Sequence, residues 1–81
     1  MIDVKTAVQI AVDYVGQFPE YFPPREIRLE ETEYTDQGYW DVTLSFLESP
    51  LSGLRSYKIF RIDAQTGEVR SMKARSVLGI R

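Results

Sequence analysis

The chain has 81 residues, with 43% apolar and 27% charged residues and a formal net charge of −2. That is room and composition for one globular domain, residues 1–81. It contains no cysteine and no histidine, which excludes disulfides, thiolate or imidazole metal sites, cysteine nucleophiles and every catalytic arrangement built on histidine. No apolar run exceeds three residues, so no segment reads as a membrane span, and the N-terminal MIDVKTAV lacks the pattern of a signal peptide. The expected compartment is the cytoplasm.

In chain order, residues 3–16 carry Val4, Ala7, Val8, Ala11, Val12 and Val15 at the spacing of a helix with one apolar stripe. Asp3 is placed to accept from the free amides of the first turn. Gly16 is the expected residue just past the helix end, and Pro19 blocks continuation. Lys5, Gln9 and Asp13 fall on the opposite face. The loop at 17–25, QFPEYFPPR, combines three prolines with three aromatics and is expected to close one end of the core.

Strands are expected at about 26–35, 39–47, 55–63 and 68–73, followed by a tail at 74–81. Residues 39–47 alternate, with Trp40, Val42, Leu44 and Phe46 on one face and Asp41, Thr43 and Ser45 on the other. Gly38 and Gly67 stand where short hairpins need a positive φ. The order is α-β-β-β-β with hairpin connections. It predicts an α+β fold, one N-terminal helix packed on a three- to four-stranded antiparallel meander sheet.

Two strands conflict with simple alternation. In the first, the parity of Ile27 and Leu29 would carry Glu31 and Glu33 into the core, a burial far more unfavourable than a local distortion. A bulge near Glu30 and Glu31 resolves this: Ile27, Leu29 and Tyr34 become buried, Thr32 turns inward, and both glutamates face out. In the third, Phe60 and Ile62 share one face while Tyr57 and Ile59 share the other. If the former pair meets the helix, Tyr57 and Ile59 lie outside beside Thr43 and Ser45. Within the loop at 48–54, Leu51 and Leu54 either cap the core or stand exposed.

Charge is lopsided. Residues 1–40 balance to −5 and residues 55–81 to +5, so in sequential strand order the acidic and basic strands occupy opposite sheet edges. Tyr57 between Arg55 and Lys58 is similar to the charge-plus-stacking pattern of single-strand binders. Overall acidity and the division of these charges between two faces argue against a nucleic-acid partner, leaving weak binding that salt abolishes. Glu30, Glu31 and Glu33 read as a solvated strand face, without calcium-loop spacing, a phosphate-cradling loop or a nucleophile elbow around them. No catalytic constellation and no cofactor site emerges.

The stretch YKIFRIDAQTGEVRSMK, residues 57–73, resembles PepSY domains. The matching positions are Ile62 and Asp63 ending a strand, Thr66, Gly67 and Glu68 in the turn, and Val69 opening the return strand. The alanine- and valine-striped helix and the strands beginning EIRLEE and YWDVTLSF are similar to the rest of that pattern. The resemblance implies a non-catalytic module that regulates or inhibits peptidases or mediates protein contacts.

The expected function is therefore a non-enzymatic protein-interaction or regulatory module that binds a protein partner or self-associates as a homodimer through sheet faces or edges. Thr43, Tyr57, Ile59 and Arg61 form its candidate surface. The alternative is a small-ligand or sensor domain with a pocket between helix and sheet, where Ala7 and Ala11 oppose Trp40, Phe46 and Phe60.

Overall fold

A computed structural model describes residues 1–18, 26–47, 51 and 53–75. One helix, α1 (Val4–Gly16), packs on a four-stranded antiparallel sheet of β1 (Arg28–Tyr34), β2 (Tyr39–Leu47), β3 (Arg55–Asp63) and β4 (Val69–Arg75), in the order β1-β2-β3-β4. This is the α+β meander expected. The last strand runs through Ala74 and Arg75, two residues expected in the tail. Most of the proline-aromatic loop (19–25), part of the 48–54 loop and residues 76–81 lie outside the described residues.

Helix α1 starts as its sequence dictates. Asp3 is extended, and its carboxylate accepts from the Thr6 amide at 2.9 Å. That amide bond, with the Thr6 side chain and the Lys5 charge adding to it, holds the Asp3 carboxyl below its ordinary value. A carboxyl depressed in the folded chain contributes stability above its unfolded value, about 3.9, and loses it as pH falls through the folded one. The Asp3→Ala variant should melt below wild type at neutral pH, and the gap should narrow as pH falls from about 4 through the depressed value. Thermal unfolding of the two proteins across that range checks it; a constant gap would mean that the carboxylate does not cap the helix.

The helix ends otherwise than expected. Gly16 is the last helical residue, and the chain leaves through Gln17 at φ −80, with Gln17 N–H donating to the Tyr14 carbonyl and Phe18 N–H to the Val15 carbonyl. A tightened last turn satisfies those carbonyls without a left-handed residue, so Gly16 is not used as one.

Ala7, Ala11 and Val15 are buried against Val42 and Leu44 of β2 and Phe60 and Ile62 of β3, with Phe46 completing the cluster. Tyr14 meets the edge of Phe60, ring centroids 6.0 Å apart. The small helix residues opposite large sheet residues thus make the core at this place. Lys5, Gln9 and Asp13 are exposed, as expected. The N-terminus is tied down where the turns gather: Ile2 donates to the Ala64 carbonyl and accepts from the Trp40 indole, and Ala64 donates to the Gly38 carbonyl. Leu51 and Leu54 are both exposed.

The bulge is where the carboxylate argument puts it. Leu29 pairs with Leu44 and Glu31 with Thr43, leaving Glu30 as the extra residue. Beyond it Thr32 and Tyr34 share the helix-facing side with Val42 and Trp40, while Glu31 and Glu33 face out and are exposed. The expected burial of Leu29 and Tyr34 is not found: they are 52% and 44% exposed, and Ile27 is half-buried. The reason is width. A helix about 10 Å across covers two strand spacings of about 4.8 Å, and the fully buried cluster under this one lies on β2 and β3. The edge strand β1 keeps the right parity but is only partly covered.

Candidate interaction surface

The two sides of the sheet differ in how they are finished. On the side away from the helix, Tyr57 pairs with Ser45, Ile59 with Thr43 and Arg61 with Asp41, so the strand parity is as expected. The surface they make is not an open apolar patch. Thr43 is 3% exposed and Ser45 fully buried, while Tyr57, Ile59 and Arg61 are half-buried. Thr43 therefore drops out as a contact residue.

Polar groups knit this face together. The Ser45 hydroxyl donates to the Glu30 carboxylate at 2.7 Å and accepts from the Arg55 Nε at 2.9 Å. Arg55 also donates to the carbonyls of Ser45 and Glu26. The bulge thus has a second role, since it is the extra residue, Glu30, that meets the buried serine. Arg61 makes two 2.9 Å bonds to Asp41 and lies over the Tyr39 ring. The Asp41 carboxylate raises the Arg61 guanidinium above its usual value and keeps it charged. Arg75 of β4 reaches Glu31 of β1 at 2.8 Å. These strands are the two edges of the sheet, three spacings or about 14 Å apart in a flat one, so this ion pair straps across the outer face with both side chains reaching over β2 and β3.

These contacts also revise the basic edge. Arg55, Arg61, Arg70 and Arg75 each stand beside a carboxylate, of Glu26, Asp41, Glu68 and Glu31 respectively. Of the candidate residues, Arg61 is committed to Asp41, which leaves Tyr57 and Ile59 as half-covered apolar neighbours.

On the helix side the sheet is left unfinished at β1. An open groove of about 400 Å³ runs between Val4, Lys5, Val8 and Gln9 of α1 and Leu29 and Thr32 of β1. Val4 is 39% exposed on one wall and Leu29 more so on the other. Tyr34 lies farther along the same strand face, its ring edge-on to Trp40 at 5.1 Å. Sequence parity puts these side chains on the correct face but does not tell that the helix leaves them partly exposed. The helix-width arithmetic, applied to a four-stranded sheet, is the signal that exposes an edge strand.

Among the described residues there is no cluster of three or more carboxylates positioned for a metal ion, and no helix long and apolar enough to cross a membrane. No family model, no curated protein and no solved structure matches the chain.

Proposed function

We propose that the protein is a non-catalytic protein-interaction or regulatory module whose contact surface is the helix side of the β1 edge. The observation that carries this is the groove itself: Val4 of α1 and Leu29 of β1 are exposed on its two walls, and Tyr34 is exposed farther along the same strand. Contiguous exposure of this kind marks contact surfaces, whereas scattered apolar residues do not. The outer face supports the reading by contrast, because ion pairs cross it and its apolar residues Tyr57 and Ile59 are half-buried. Regulation or inhibition of a peptidase, the role implied by the PepSY resemblance, is the form of interaction to test first. A cytoplasmic setting and the absence of a nucleic-acid partner belong to the same proposal. The second is supported by the pairing of Arg55, Arg61, Arg70 and Arg75 with carboxylates, which offsets part of the basic charge of β3 and β4.

Placing a photoreactive benzoylphenylalanine at Leu29, and separately at the exposed turn residue Gln65, tests the surface in cells. Discrete adducts to another polypeptide are expected from Leu29 and none from Gln65. Equal yields from both positions, or none from Leu29, would overturn the proposal.

The groove also favours a second reading, a small apolar ligand held between helix and sheet, since its volume falls within the range of ligand pockets. Native mass spectrometry of the purified chain separates the two: a retained small molecule, lost in Leu29→Asp, supports the ligand.

A further inference from the structure

The β1 edge brings together three kinds of recognition chemistry. Among the described residues its backbone is paired on one side only, by β2, because β1 is terminal in the sheet. On its helix side lies the groove whose apolar lining is Val4, Val8 and Leu29, with Lys5, Gln9 and Thr32 as its polar members. On its outer side Glu31 and Glu33 occupy successive outward positions. Glu31 is shared with Arg75, while Glu33 has no hydrogen-bond or ion-pair partner among the described residues.

We propose, resting on the reading of this edge as the contact surface, that its occupant is an extended segment of a partner protein alternating apolar with basic residues, which joins β1 as a fifth strand. An added strand divides its side chains between the two sheet faces with a period of two. One set enters the groove and needs to be apolar. The other set stands beside Glu31 and Glu33, where lysine or arginine is favoured and a carboxylate is repelled. The bulge at Glu30 interrupts the strand, so pairing is confined to residues 31–34 and affinity is modest.

A second copy fits less well. Symmetric β1–β1 pairing brings glutamates together, and symmetric β4–β4 pairing brings Lys73 and Arg75 together. Pairing β4 of one copy with β1 of the next matches in charge. It is head-to-tail, however, does not close on itself without a ring, and competes with the ion pair between Arg75 and Glu31 within each chain.

Fluorescence anisotropy with synthetic peptides tests the inference. One probe alternates lysine and valine over about seven residues, a typical strand length. A second has the same composition with the valines in one block, and a third carries glutamate for lysine. The alternating basic peptide is expected to bind at least tenfold more tightly than the other two, and its amide shift changes in NMR should map to residues 31–34. Leu29→Asp should weaken it at least tenfold, and Glu33→Lys should improve the acidic peptide at its expense. Equal affinity for the blocked peptide, or shift changes on β4, would overturn the proposal. So would concentration-dependent self-association that is lost in Lys73→Glu, because it assigns the edge to a second copy. Tighter binding of the acidic peptide sinks the basic occupant but leaves the edge as contact surface, whereas failure of crosslinking from Leu29 removes the surface itself.

Discussion

Phe60→Ala should lower stability by about 3–5 kcal/mol, the range for truncating a buried aromatic side chain. Phe60 is fully buried between the helix and the sheet, with Tyr14 against its ring and Val42 and Met72 beside it across the strands. A domain of 81 residues has roughly 4–12 kcal/mol to lose, so the variant is left marginal or unfolded. Urea denaturation followed by the fluorescence of the single tryptophan, Trp40, reads the change as a midpoint shift of roughly 2 M. The control is its neighbour. Ile59 points to the other face and is half-buried, so Ile59→Ala should cost only about 1 kcal/mol. Equal losses from the two would mean that both faces of β3 are fully packed, and that the outer face is a second core instead of a strapped surface.

That contrast rests on parity, and parity was the most legible property of the chain. In residues 39–47 the alternation of Trp40, Val42, Leu44 and Phe46 with polar residues defines face and strand together. The bulge followed from a single energetic conflict, because no register could bury Leu29 without also burying Glu31 unless one residue slipped. Leu29 and Glu31 do lie on opposite faces, with Glu30 as the slipped residue. The turns were readable through their glycines: Gly38 and Gly67 have the positive φ expected of them. The structure adds that Asp63 accepts from the Gln65 and Thr66 amides and Thr35 from those of Gln37 and Tyr39.

Coverage was not legible, because it depends on where one element sits over another. The apolar residues of residues 57–59 suggested an exposed outer face, yet Thr43 beneath them is buried and the edges are joined by Arg75 and Glu31. A contact between residues 44 positions apart, made by two long side chains across the sheet, has no local signature. The same holds for Ser45, whose buried hydroxyl is satisfied from one side by the bulge residue and from the other by Arg55. The helix-side groove escaped for the opposite reason: Leu29 and Tyr34 look like core residues until the width of one helix is set against four strands. The candidate site thus moved from the face with surplus apolar residues to the edge where apolar residues lack a cover.

Gly67→Val should be the most damaging change outside the core, at about 2–4 kcal/mol. Two effects combine there. Gly67 has φ +80, a conformation that a β-branched residue adopts only under strain. A Cβ at this position would also lie 3.2 Å from the Cδ1 of Ile10, since the turn after β3 packs against the helix. Gly38 separates the two effects: its φ is +89, but a Cβ there meets no atom within 4 Å. Gly38→Ala should therefore report backbone strain alone, about 1 kcal/mol, and Gly67→Ala the same strain plus roughly 0.5–1 kcal/mol from the displaced isoleucine. Ile10→Val removes the crowding atom. In that background the excess of Gly67→Ala over Gly38→Ala should vanish, a coupling that a double-mutant cycle measured by urea unfolding resolves. An excess that persists without Cδ1 would place the strain in the turn itself, in the hydrogen bond from Gly67 N–H to the Asp63 carbonyl, and not in the contact between turn and helix.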